Sequence, residues 1–244
     1  MGILAFDLEI AEEFPESGVV DHAALGISCA ATLYRGDAEL TTPWYNFENR
    51  GPDLGPRMTP TQCRALVKTI ARHVRHGATL VTWNGHFDMK VLAHECQDPD
   101  YYRQCQELAL DMVDPMFQFL TQEGYCVGLE KVALAMIGEG KAEGLHGDQA
   151  PVMWKQGREA QERVLTYVQG DVKLTADVYD IIARNGQLCR YTSSGAYKCV
   201  QFERVLTVRE CLLIPQAPTE WWSGNPWKVG GPQDRDAIAA WCLS

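Results

Sequence analysis

Ile3-Leu4-Ala5-Phe6-Asp7-Leu8-Glu9-Ile10 is the stretch on which the reading of the fold turns. It is a short apolar run broken only by two acids, the mark of a buried strand. Residues i and i+2 of a strand point to one face. Asp7 and Glu9 therefore project side by side from an element that calls for burial. Paired carboxylates in such a place are costly, because like charges oppose each other's ionisation and burial penalises both. A bound metal ion relieves that cost. Two solvated acids at a strand edge are the plainer alternative, and the pair alone does not separate the two.

Working outward, Leu25 to Tyr34 reads as a second strand, Arg35-Gly36-Asp37 as a turn, and Glu39 to Phe47 as a third strand. Thr59-Pro60 is a helix start, with Thr as N-cap and Pro in the first helical position. That helix runs to about His76, with Gly77 just past its end. Ala78 to Trp83 is a fourth strand, and His86 to Cys96 a helix. Val113 to Gln122 and Leu129 to Ile137 show helical apolar spacing, and Gly138 to Gly157 is a polar loop containing His146. Arg158 to Asn185 is a long helix ended by Gly186. The expected class is α/β: a mixed sheet of three antiparallel strands, then helix-strand-helix, flanked by helices. Three strands, a helix and a strand in that order open the ribonuclease-H-like fold. Residues 1–186 are expected to form that domain. Residues 187–244 differ in character, with Trp221, Trp222, Trp227, Trp241, four prolines and several β-type segments. They read as a small C-terminal β-containing appendage whose tryptophans are buried anchors rather than base-stacking platforms.

Two further motifs carry chemistry. In Trp83-Asn84-Gly85-His86-Phe87-Asp88 a strand gives way to a helix, and Asp88 falls in the first helical turn. An acid there also suits the helix dipole, which is the structural explanation of it. In Tyr167-Val168-Gln169-Gly170-Asp171 the tyrosine and the acid, four apart, share one helix face. Each motif alone is ordinary. Together, in this order on strand, strand-to-helix junction and helix, they are specific.

At these residues the sequence resembles the DEDDy 3′–5′ exonucleases of the ribonuclease-H-like superfamily, above all the proofreading exonuclease domain of family B DNA polymerases. Asp7 and Glu9 match the first family motif, Asn84 with Phe87-Asp88 resembles the second, and Tyr167 with Asp171 matches the third. The helix Leu129 to Ala133 and the following Gly138-Glu139-Gly140-Lys141 are similar as well. The branch with a histidine five positions before the last acid does not fit, since Thr166 stands there. The resemblance covers roughly residues 1–185 and implies that Asp7, Glu9, Asp88 and Asp171 hold two divalent cations. Carboxylates are hard oxygen ligands suited to Mg²⁺ or Mn²⁺. It further implies that Tyr167 orients the attacking water and that Asn84, Phe87 and Ile10 bind substrate. The expected activity is phosphodiester hydrolysis from the 3′ end of single-stranded DNA or RNA, DNA favoured, releasing nucleoside 5′-monophosphates. Two alternatives are a nucleic-acid-binding module with little activity and a structure-specific endonuclease on the same fold.

Composition sets outer limits. The chain has 244 residues, 46% of them hydrophobic, which suits a globular protein. No apolar run approaches the ~18 residues of a membrane span. The N-terminus lacks signal-peptide character, so a cytoplasmic location without membrane association is expected. Nine cysteines, an odd number without a Cys-x-x-Cys pair, argue against a disulfide framework and a zinc ribbon, and are read as small buried hydrophobes. The histidines show no metal-ligand spacing, and His86 and His146 are read as satisfied structural or surface residues. The net charge is -10, with the acid excess in the first 186 residues. Yet 54–87 holds Arg57, Arg64, Lys68, Arg72 and Arg75 and no acid. Arg64, Lys68 and Arg72 form a helical stripe, either a solvated face or a phosphate-tracking strip beside the carboxylates.

Overall fold

The computed structural model describes residues 2–15, 20–47, 51–140, 147–218, 224, 227 and 233–244. His146, Trp221 and Trp222 lie outside the described residues. The central sheet has the order β3-β2-β1-β4. Strand β1 (Ile3–Ile10) is followed by a short helix α1 (His22–Leu25), β2 (Ile27–Arg35) and β3 (Glu39–Tyr45). β1 pairs antiparallel with β2 and parallel with β4, and β2 pairs antiparallel with β3. Flanked on both edges, β1 is buried along nearly all its length, with Asp7 its one half-exposed residue.

Helix α2 (Pro60–Arg75) begins with a full capping box, in which the Thr59 and Gln62 side chains satisfy each other's backbone N–H groups. It leads to β4 (Thr79–Val81), α3 (Gly85–Glu95) and α4 (Pro99–Asp111). α4 has its own start signal, Asp98 as N-cap before Pro99. The apolar spacing from Val113 is helical only from Pro115, where α5 (Pro115–Glu123) starts. Val113 itself bridges β4, parallel to Val81, and also pairs antiparallel with Thr207. One residue thus stands where a fifth strand would lie. Helix α6 (Leu129–Met136) follows. The expected loop up to Gly157 contains a further short helix, α7 (Ala150–Trp154), because Trp154 is almost fully buried and donates to Gly55 O at 3.0 Å.

Helix α8 (Arg158–Asn185) spans 28 residues, about 42 Å at 1.5 Å per residue. It ends where Gly186 takes the left-handed conformation, φ 66°. Alternation along β1 decides which helix meets which face. Leu4, Phe6 and Leu8 pack with Leu66, Val67 and Ile70 of α2 and with Met89 and Leu92 of α3. Ile3 and Ala5 pack with Val164, Val168 and Val172 of α8. Arg35 ties β2 to α8 through Asp177 at 2.8 Å and Asp180 at 2.6 Å.

Beyond α8 come the hairpin β5 (Gln187–Tyr191) and β6 (Tyr197–Gln201), then α9 (Val208–Leu212) and α10 (Arg235–Ala239). Cys189 and Cys199 face each other in that hairpin and form a disulfide. This corrects the reading of all nine cysteines as thiols. Direct cross-strand partners bring Cβ atoms within bonding reach, and a separation of ten residues does not announce that pairing. Six of the seven free cysteines are buried. The last helices pack inward: Val208, Cys211, Ala239, Trp241 and Cys242 share the buried cluster of Leu66 and Leu92. Val208 N donates to Met112 O at 2.9 Å, and Gln106 Nε2 to Trp241 O at 2.5 Å. Among the described residues no helix is long and apolar enough to cross a membrane.

Candidate metal centre

The odd-numbered face of β1 that meets α8 is also the face of Asp7 and Glu9. Asp171 and Tyr167 lie four apart on α8 and both are buried. The result is that Asp7, Glu9 and Asp171 each place a carboxylate oxygen within 4.8 Å of the others, with Glu9 6% and Asp171 4% exposed. Three carboxylates so close, two of them buried, could together hold a divalent metal ion, and hard oxygen donors suit Mg²⁺ or Mn²⁺. Tyr167 belongs to the same spot. A Cβ built on Gly147 would stand 3.9 Å from Tyr167 Oη and 4.0 Å from Glu9 Oε2, so hydroxyl and carboxylate front the same backbone.

Asp88 is buried in the first turn of α3 but stands outside the 4.8 Å group. The reason lies in the fold: α3 packs with α2 on the face of the sheet opposite the one that carries Asp7 and Glu9. Asn84 has the left-handed conformation, φ 63°, and makes no side-chain cap to α3. Ile10 is buried in the core at the end of β1. Phe87 is half-buried, its ring 5.8 Å from Phe14 and 5.6 Å from His22.

Three residues near the site were missed by motif reading. Asp114 is fully buried and accepts hydrogen bonds from the backbone N–H groups of Gly85 at 2.8 Å, Met116 at 3.0 Å and Phe117 at 3.1 Å. Burial pushes its pKa up to about 6, with those N–H groups and that of Asn84 pulling the other way. The Asp-Pro at Asp114-Pro115 is a recognisable helix start, but nothing local points to Gly85. Cys29 lies opposite Glu9 in β2. Burial raises its thiol well above the usual range, and the Glu9 charge adds to this. Gly147 is the third, identified only by its contact.

His86 differs from the expectation of a satisfied histidine. It is 3% exposed and stacked on Phe117 at 4.6 Å, and among the described residues neither ring nitrogen has a hydrogen-bond partner. Burial lowers its pKa to about 3, so it is neutral at pH 7. The cationic stripe does not flank the carboxylates. α2 covers the other face of the sheet, Arg64 donates to Cys96 O at 2.8 Å, and Lys68 sits over the Tyr101 ring. The solvated-face reading is the one the packing supports.

Comparison with known proteins agrees with this architecture. A family model described as the RNase_H superfamily matches residues 55–183. The matched stretch holds Asp88, Tyr167 and Asp171 but begins after Asp7 and Glu9. Among solved structures, the family B DNA polymerase from the hyperthermophilic archaeon Pyrobaculum calidifontis is similar with a TM-score of 0.50 and 18% identity, over 74% of this chain and 24% of that one. The chain therefore spans about a quarter of that polymerase, and a likeness at this identity speaks for the fold alone. No curated protein matches. With the family match covering over half of its length and the sheet order as described, the chain belongs to the RNase H superfamily.

Proposed function

We propose that this chain is a metal-dependent 3′–5′ exonuclease of the DEDDy type, acting on single-stranded nucleic acid with DNA favoured. The observation that carries this reading is the convergence of Asp7, Glu9 and Asp171 within 4.8 Å, with the Tyr167 hydroxyl fronting the same space. Asp7, Glu9 and Asp171 would hold the cations, and Asp88 would complete the set from the start of α3. Bound divalent ions would supply charge stabilisation at the phosphate and acidify the attacking water. Tyr167 orients that water through its hydroxyl. An ordinary tyrosine, with pKa ~10, is a weak base, so its part is alignment rather than proton removal. Phe87, its ring beside Phe14 and His22, would offer a stacking surface to the terminal nucleoside, and Asn84 and Ile10 would contribute to binding it. The leaving fragment is a nucleoside 5′-monophosphate, and the chain keeps a free 3′ hydroxyl for the next cycle.

The test uses purified protein and 5′-labelled single-stranded DNA and RNA, with free or blocked 3′ ends, in Mg²⁺, Mn²⁺ or EDTA. A ladder shortening from the free 3′ end, absent in EDTA and halted by the block, is the expected result. Cleavage that ignores the block would make the protein an endonuclease. A folded protein that binds the strands but cuts neither in either metal would overturn the enzymatic reading.

A further inference from the structure

We propose that Asp114 is the positioning residue for Asp88, a buried carboxylate that caps two helices at once and so sets where Asp88 stands relative to Asp7, Glu9 and Asp171. The inference rests on the metal-site reading above. Asp114 follows Val113, which is held to β4 by Val113 N to Leu80 O at 2.8 Å and Thr82 N to Val113 O at 3.0 Å. Asp114 Oδ1 accepts from Met116 N and Phe117 N and is the N-cap of α5. Its Oδ2 accepts from Gly85 N, the first residue of α3, at 2.8 Å. The N-cap residue of α3 itself, Asn84, makes no side-chain cap. The start of α3 is therefore capped by a residue from another element. A Cβ on Gly85 would drive into the Thr82 side chain, so the junction has no slack on its other side.

This clasp matters because of where Asp88 sits. The pairing of β1 with α8 places Asp7, Glu9 and Asp171 on one face of the sheet. Asp88 belongs to a helix on the opposite face, and its approach depends on the angle at which α3 leaves β4. Asp114 fixes that angle through Gly85. Groups that orient metal ligands without touching the metal commonly change affinity when removed.

The experiment follows Mn²⁺ binding to the full chain, without nucleic acid, by the loss of the free-ion electron paramagnetic resonance signal. Asp114→Asn keeps the size of the side chain but has one oxygen. Whichever way the amide turns, its NH₂ meets N–H donors of Met116 and Phe117 or of Gly85, so the joint between α5 and α3 through the carboxylate is broken. The expected result is a rise of about 10-fold or more in the half-saturating Mn²⁺ concentration. Thr59→Ala, which removes a cap from α2, leaves that concentration unchanged. In an Asp88→Asn background, Asp114→Asn adds nothing, because it acts through Asp88. An unchanged midpoint in Asp114→Asn, or an equal further loss in the Asp88→Asn background, overturns the positioning role and leaves the metal site standing. Should Asp114→Asn fail to fold, Gly85→Ala shifts the same junction from its other side. The same rise is then expected, and its absence overturns the proposal. A wild-type protein that binds no Mn²⁺ overturns the site and this inference together.

Discussion

Replacing Asp171 by Asn should stabilise the metal-free protein and abolish its response to metal. At an effective dielectric constant of about 20, two unit charges 4.8 Å apart repel by about 3.5 kcal/mol. Asp171 faces two such neighbours. Its repulsion is capped, because a carboxylate of ordinary pKa ~3.9 escapes by taking a proton at a cost of about 4 kcal/mol at pH 7. Interactions that favour the native carboxylate reduce the net gain, and we expect about 2 kcal/mol from Asp171→Asn in EDTA. For a chain of this size that is roughly 4–8 °C in Tm. Metal reverses the order. With Mn²⁺ a thousandfold above its Kd, the wild type gains about 4.1 kcal/mol while the variant gains little. The assay is thermal unfolding followed by circular dichroism, in EDTA and across a Mn²⁺ series. If Asp171→Asn melted below the wild type in EDTA, and metal lifted both equally, the carboxylates would not form a cation site.

Three other outcomes are expected. Tyr167→Phe should slow hydrolysis by at least tenfold while leaving the Mn²⁺ midpoint unchanged; wild-type turnover in single-turnover assays would remove Tyr167 from the mechanism. His86, with its pKa at about 3 in the native protein against an ordinary 6.5, refuses a proton that the unfolded chain accepts, so its contribution to stability is lost as pH falls from 6.5 to 3. Asp114, raised to about 6 from 3.8, acts in the opposite sense, its contribution lost as pH rises through that window. Urea unfolding should therefore show His86→Phe gaining about 2 kcal/mol on the wild type between pH 7.5 and pH 5; parallel pH profiles would refute the buried neutral imidazole. Reducing Cys189–Cys199 opens a loop with a separation of ten residues and should destabilise the β5–β6 hairpin by about 2–3 kcal/mol. Hydrogen exchange should quicken there and not in β1; uniform change throughout the protein would contradict that.

Much of the fold was legible because its signals are local. The apolar run around Asp7, the Thr59-Pro60 start, the Gly186 stop and the four-residue spacing of Tyr167 and Asp171 each depend on neighbours within a turn or two. Those signals place strands and helices, and the period of two along β1 already puts Asp7 and Glu9 on one face. What they do not carry is information on which distant elements meet. That α8 covers the face of Asp7 and Glu9 while α3 covers the other, leaving Asp88 outside the 4.8 Å group, follows from packing three apolar surfaces against one sheet. The cationic stripe of α2 reads equally well beside or away from the carboxylates until the sheet separates them.

The same division runs through the supporting residues. Asp114 and Gly85 are 29 apart in the chain, and their hydrogen bond exists only because Val113 lies beside β4. The burial of His86 against Phe117, with no hydrogen-bond partner among the described residues, and the pairing of Cys189 with Cys199 both depend on how elements pack and register, not on local sequence. Sequence alone determined the chemistry on offer, four carboxylates and a tyrosine in a given order, because covalent spacing and backbone periodicity are written into the chain. Tertiary structure decided which of those groups share a volume small enough to hold an ion, because that depends on contacts between segments far apart in sequence and on the exclusion of water among them.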